Sequence, residues 1–186
     1  MQKYLRVITG TARGKRLATL TGDAVRPTPE RIKEAVFSVV QFDIEGRRML
    51  DLFTGSGQMA IEALSRGAAQ AVMVDISRDS LRVAEENLHS TGLREKARLI
   101  RAEGEAYIAS SRERFDIAFL DPPYRKGILQ RVLPLVEEHM NPGGSIFCEH
   151  PSEEELPESV GRFSKIRDYR YGKILVTLYR CEDVRK

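Results

Sequence analysis

Cysteine, long apolar runs and low-complexity sequence are all scarce in this chain, and each scarcity excludes a class of protein. The two cysteines, Cys148 and Cys181, stand far apart without CxxC spacing. That excludes a disulfide scaffold and fits buried thiols of a reducing compartment. His89, His139 and His150 are dispersed without ligand spacing, so no metal site is expected. No apolar run approaches the roughly 20 residues that cross a bilayer, and the opening MQKYLRVITG lacks the apolar core of a secretory signal. A cytoplasmic protein is expected. What is present is ordinary globular composition: 186 residues, 41% hydrophobic and 31% charged, the size of one folded domain.

Positive charge is concentrated at one end. Residues 1–33 hold eight basic side chains against two acidic ones, a net of +6, whereas the remaining residues hold 22 against 25, a net of −3. A basic arm on a mildly acidic body points to a polyanionic partner held by the N-terminus.

Hydrophobic periodicity then orders the chain. Residues 5–8 and 16–20 read as two short strands around a glycine-bearing basic loop, a hairpin too small to be stable without packing on something larger. The Pro- and Thr-bearing segment 21–29 reads as a junction, which divides the chain into a basic arm at 1–27 and a body at 28–186. Thr28 is expected to cap a helix with Pro29 at its first position and an end near Phe42. From residue 49 onward, strands at 49–53, 71–76, 97–100, 115–120 and 145–149 alternate with helices. Leu81, Ala84 and Leu88 face inward on the helix that Ser77 caps, and the run Asn141-Pro142-Gly143-Gly144 stops the last helix. Two final strands, 163–171 and 174–180, separated only by Gly172-Lys173, must form an antiparallel hairpin. The expectation is an α/β protein with a doubly wound, mostly parallel seven-stranded sheet, a C-terminal antiparallel hairpin and a small N-terminal β-hairpin.

The first parallel strand runs into Asp51-Leu52-Phe53-Thr54-Gly55-Ser56-Gly57, at the sheet edge where open α/β folds bind ligands. Gly55 and Gly57 let the backbone approach a ligand. Asp75, followed by Ile76, ends the next strand, where a carboxylate can accept both hydroxyls of a ribose. The loop also satisfies the G-x-G-x-x-A form of a dinucleotide site. Two features favour S-adenosylmethionine instead. Asp51 suits a cationic amino-acid moiety and would repel a pyrophosphate, and Glu103, before Gly104 at the third strand end, suits an adenine amino group.

Asp121-Pro122-Pro123-Tyr124 follows the fourth strand directly. Two prolines fix two φ angles and push the residues before them extended. Asp121 and the Pro122 carbonyl are thereby presented as a rigid row of acceptors, with the Tyr124 ring beside them as a stacking platform. Acceptors next to an aromatic ring suit the exocyclic amine of a nucleobase, whose nitrogen lone pair they would aim at a methyl donor.

These two motifs resemble the cofactor and amino-methylation motifs of class I methyltransferases. The opening residues Arg6-Val7-Ile8-Thr9-Gly10, Arg13-Gly14-Lys15 and Arg26-Pro27-Thr28, with Glu30-Arg31 and Glu34-Ala35-Val36-Phe37, resemble the RsmD-type guanine-N2 methyltransferases of bacterial small-subunit ribosomal RNA. The resemblance runs over nearly the whole chain. It implies the Rossmann-like class I methyltransferase fold, S-adenosylmethionine as donor, and N2 of a guanine in 16S rRNA as acceptor, within a small ribosomal subunit or an assembly intermediate. It assigns Asp51, Gly55, Gly57, Asp75 and Glu103 to the cofactor, and Asp121, Pro122 and Tyr124 to the base; Phe53, Ile76 and Gly104, beside these cofactor residues in sequence, are expected at the cofactor as well.

Among the remaining basic residues, Arg13, Lys15 and Arg16 suit phosphate contacts. Arg26, Thr28 and Arg31 suit the substrate side of the cleft, and Arg125 and Lys126 suit phosphates beside a flipped base. Three other readings compete with the rRNA enzyme. An N6-adenine DNA methyltransferase could use the same tetrapeptide, but the chain is short and carries no separate target-recognition domain. A dinucleotide-dependent oxidoreductase would leave that tetrapeptide unexplained. A noncatalytic RNA-binding assembly protein would need the arm but no intact cofactor pocket.

Overall fold

A computed structural model describes residues 5–20, 28–124 and 126–181. Eight strands form one sheet in the order β3-β2-β1-β4-β5-β8-β7-β6. These are β1 (Arg48–Asp51), β2 (Gln70–Asp75), β3 (Ala97–Arg101), β4 (Phe115–Leu120), β5 (Met140–Pro151), β6 (Ser159–Val160), β7 (Phe163–Tyr171) and β8 (Ile174–Cys181). The first five pair in parallel, and β8 lies antiparallel between β5 and β7. The seven expected strands are therefore present, joined by an eighth, the two-residue β6 that covers the outer edge of β7.

Alternation along the strands explains the two layers. Met49, Met73, Phe119 and Phe147 project to one face, where α1 (Glu30–Val40), α2 (Gln58–Ser65) and α3 (Arg78–Thr91) pack. Leu50, Val72, Ala118 and Ile146 project to the other, covered by α4 (Gly104–Ser110) and α5 (Ile128–Glu138). Cys148 is a free thiol buried in the second layer.

Several boundaries differ from the periodicity. α1 begins at Glu30, with Pro29 at the cap position and no side-chain cap. Thr28 does not cap the helix because it is buried against α2: with its amide nitrogen toward the Thr28 carbonyl, Gln58 donates to that oxygen at 3.2 Å and accepts the Thr28 hydroxyl at 3.3 Å. α1 ends at Val40, leaving Phe42 90% exposed. On α3 the Ser77 cap forms, but Leu81 is only half-buried and Val83 takes the inward position with Ala84 and Leu88. Strand β5 starts at Met140, before the run Asn141-Pro142-Gly143-Gly144 that was expected to stop the last helix ahead of the strand. It meets Phe115 there and resumes pairing at Ser145 across a register shift in β4, and the Asn141 amide donates to Asp116 at 2.8 Å.

The described N-terminal residues, 5–20, form a short hairpin whose arms are too brief to make regular strands. Arg6 and Arg16 make one antiparallel bridge, and the amides of Val7, Gly14 and Leu17 donate across the hairpin to the carbonyls of Lys15, Val7 and Leu5, while the Ile8, Thr9, Thr11, Ala12 and Ala18 amides bond to α2 and α3. Glu62 of α2, fully buried, accepts from the Ile8 and Thr9 amides at 2.9 and 3.0 Å. Ser65 accepts from the Thr11 and Ala12 amides. The turn fits against α2 only because residue 10 is glycine: φ is +90°, and a Cβ there would lie 1.8 Å from the Ser65 carbonyl oxygen. Asn87 of α3 accepts from the Ala18 amide at 2.7 Å and donates to the carbonyls of Ala18 and Ser56 at 3.0 and 2.9 Å. Leu5, Val7, Ala12 and Leu17 complete the packing within the α1–α3 layer. The junction expected at 21–29 lies mostly outside the described residues.

Candidate active site

Strand order reverses at β1 and β4, so the crevice outside their carboxyl ends is the natural ligand site. A cleft of about 830 Å³ opens there. It is lined by Asp51, Phe53, Gly55, Asp75, Ile76, Glu103, Gly104, Asp121, Pro122 and Tyr124, together with Thr28 and Lys126. The structure thus brings together all but one of the residues assigned from sequence to the cofactor and the base. The exception is Gly57, which does not line the cleft. Its φ is +83°, and a Cβ there would sit 2.6 Å from the Met73 methyl and 3.2 Å from Ala84, so its role is to let the loop turn into α2.

Hydrogen bonds hold the acidic groups in place. Asp75 accepts the Gly55 amide on one oxygen and the Ser77 amide on the other, at 2.9 and 2.8 Å. Each oxygen keeps a lone pair, so a diol can bind without the carboxylate moving. Ile76 is 66% exposed on the cleft wall, an apolar surface suited to a flat ring. Glu103 uses its carboxylate to cap α4, accepting from the Glu105 and Ala106 amides at 3.1 and 2.7 Å. Gly104 packs on Phe53, with a Cβ there falling 2.9 Å from the ring.

Three carboxyls, on β1, after β4 and on β5, face the α1–α3 layer at neighbouring strand ends. Burial pushes Asp51 up to about 7, opposed by the Thr54 hydroxyl at 2.7 Å and a hydrogen bond from the Ala60 backbone, while nearby Asp75 adds to the rise. Asp121 lies well above the usual carboxylate range, first through burial and then through the charges of Glu149 and Asp51. Burial likewise raises Glu149 to about 7, opposed by the Tyr124 hydroxyl. An acid cluster of this kind fits a ligand that brings positive charge and N–H donors.

Other assigned residues lie apart from the cleft. Arg13, Lys15 and Arg16 are exposed on the N-terminal turn, and Arg31 sits 5.5 Å over the Tyr171 ring. Arg26 and Arg125 are outside the described residues. Sequence reasoning missed Gln58 and Lys173, which line the cleft, and it left the face of Glu149 open. Strand alternation from Cys148 was the signal that could have placed Glu149. His150, one residue on, turns away and pairs with the Thr177 hydroxyl at 2.7 Å.

An antiparallel strand inserted between β5 and the last long strand separates this sheet from the all-parallel dinucleotide-binding arrangement and makes it the Rossmann-like methyltransferase fold. The solved structure of YhhF from Escherichia coli, provisionally described as a methyltransferase, superposes with a TM-score of 0.86 at 30% identity, covering 97% of this chain and 99% of that one. An RNA methyltransferase from Salinibacter ruber in complex with S-adenosyl-L-homocysteine shares the fold with a TM-score of 0.65 at 18% identity, covering 87% of this chain and 97% of that one. The family model described as conserved hypothetical protein 95 matches residues 5–180. YlbH of Bacillus subtilis, provisionally described as an rRNA methyltransferase, is 38% identical, with 95% of this chain and 98% of that protein covered. The ribosomal RNA small subunit methyltransferase D of Escherichia coli is 31% identical over 96% of this chain and 90% of its own length. The chain belongs to this methyltransferase D family.

Proposed function

We propose that the protein transfers a methyl group from S-adenosylmethionine to the exocyclic N2 of a guanine in small-subunit ribosomal RNA, in the cytoplasm. The observation that carries this reading is the meeting, in one cleft, of a buried carboxyl beside a glycine loop and an Asp-Pro-Pro-Tyr turn. The relatives' names support the RNA class, and the basic N-terminal turn supplies a surface for it.

When bound, S-adenosylmethionine supplies a methyl group on a cationic sulfur. Asp51 holds the cationic amino-acid end, Asp75 the ribose hydroxyls, and Phe53 and Ile76 the faces of the adenine. Asp121 and the Pro122 carbonyl accept the N–H bonds of the guanine amine, which fixes the nitrogen lone pair toward the donor side of the cleft. Tyr124 lies against the base. Catalysis on this reading is positioning and electrostatics, with no covalent intermediate on the protein.

Labelled methyl transfer to small-subunit RNA from cells lacking the protein, followed by nucleoside analysis, tests the reading. N2-methylguanosine is expected; N6-methyladenosine would overturn the base assignment.

Two further results are expected. Asp51 is neutral below about 7 and charged above it, so a cationic ligand binds the deprotonated form and releases a proton. Affinity for S-adenosylmethionine should therefore rise about tenfold between about pH 6 and pH 8 and then level. Calorimetry in buffers of different ionisation enthalpy measures both the rise and the proton. Neutralising Arg13, Lys15 and Arg16 together should weaken RNA binding and lower the slope of log affinity against log salt by about 2 to 3. An unchanged slope would remove the turn from the phosphate contacts.

A further inference from the structure

Leu120 of β4 and Cys148 of β5 are register partners, and both face the α4–α5 layer. The next residue along each strand direction turns to the opposite face, so Asp121 and Glu149 stand side by side on the face that carries Phe119 and Phe147. Glu149 is 5% exposed. One of its oxygens accepts the Tyr124 hydroxyl at 3.1 Å. The other, Oε2, is buried and has no hydrogen-bond partner among the described residues. A buried carboxylate oxygen left unmatched is a costly arrangement that a folded chain keeps where a ligand supplies the missing donor.

We propose that Glu149 selects guanine: Oε2 accepts the N1–H of the target base while Asp121 and the Pro122 carbonyl hold its N2 amine. The assignment rests on the guanine-N2 reading given above. Guanine presents N1–H and the C2 amine side by side on one edge, which matches two neighbouring carboxyls and a carbonyl. Adenine presents a lone pair at N1, which repels the Glu149 carboxylate and can be met only by the protonated acid. The same side chain anchors the Tyr124 hydroxyl, so base selection and placement of the stacking ring share one anchor. Burial keeps Glu149 poised near neutrality, and the donor-rich guanine edge draws it to the carboxylate form.

The test compares RNA carrying guanine or 2-aminopurine at the methylated position. 2-Aminopurine keeps the C2 amine but has a bare N1. Binding is read without turnover, from 2-aminopurine fluorescence and from competition by the guanine RNA in the presence of S-adenosylhomocysteine, and methyl transfer is measured alongside. The wild type should prefer guanine at least tenfold. Glu149→Gln, which is nearly isosteric and can donate to a bare N1, should reduce that preference at least tenfold in both binding and kcat/KM. Equal weakening of both RNAs by Glu149→Gln, with N2-methylguanosine still the wild-type product, would overturn the Glu149 assignment alone. A wild-type product lacking N2-methylguanosine would overturn the guanine reading itself.

Discussion

Asp121→Ala is expected to lower methyl transfer by at least about 10²–10³-fold, the scale of losing one preorganised polar contact at a reacting centre. Affinity for S-adenosylmethionine should stay within about threefold. Asp121 sits after β4, held by the Pro122-Pro123 turn, while the residues suited to the cofactor lie at the ends of β1, β2 and β3. The charges of Glu149 and Asp51 raise the proton affinity of Asp121, whereas that of Asp51 responds to burial and to Asp75, so removing the Asp121 carboxyl leaves the cofactor side little changed. Single-turnover kinetics paired with calorimetry separates the two quantities. Losses of equal size in both would place Asp121 with the cofactor and contradict its assignment to the base.

Glu62→Ala should destabilise the fold by about 3–5 kcal/mol, the range for removing one partner of a buried charge pair. Glu62 and Lys33 are both fully buried, 3.5 Å apart, and Arg66 reaches Glu62 at 2.9 Å. Burial lowers the proton affinity of Lys33, and the Glu62 carboxylate opposes that shift. Alanine would leave the Lys33 ammonium with the Arg6 carbonyl alone at 2.6 Å and would strand the Ile8 and Thr9 amides. Glu62→Gln keeps an acceptor and should cost less. Urea unfolding with an unchanged slope reads the difference. A loss below about 1 kcal/mol for the alanine variant would mean that the N-terminal segment rearranges freely and that the network contributes little.

Strands β1, β2 and β4 were legible because each is a largely apolar run that ends at or just before an acidic residue, and a parallel strand covered on both faces must look like that. Asp51, Asp75 and Asp121 could be placed from this rule. Glu62 and Glu149 could not be placed in the same way. A glutamate within a helix reads as solvated, and nothing local shows that the backbone of residues 8 and 9 will come to rest on it. Glu149 needed the register with β4 before its neighbour became visible. The N-terminal hairpin was legible in part: its arms pair through Leu5, Val7, Gly14, Lys15 and Leu17, but the partners of the Ile8, Thr9, Thr11, Ala12 and Ala18 amides belong to α2 and α3, far along the chain. Glu103 shows the opposite limit, since a carboxylate at a strand end that also starts a helix becomes the cap of that helix.

Glu62, Ser65 and Asn87 fasten the N-terminal turn to α2 and α3, and Asn87 bonds directly to Ser56 in the glycine loop. A load on the turn is therefore carried straight into the walls of the cleft, with no slack segment between them. On the proposed function the turn is a handle fixed to a vessel: whatever grips it sets the aim of the opening, so a bulky particle could present one nucleotide by its overall shape, with few contacts near the opening itself.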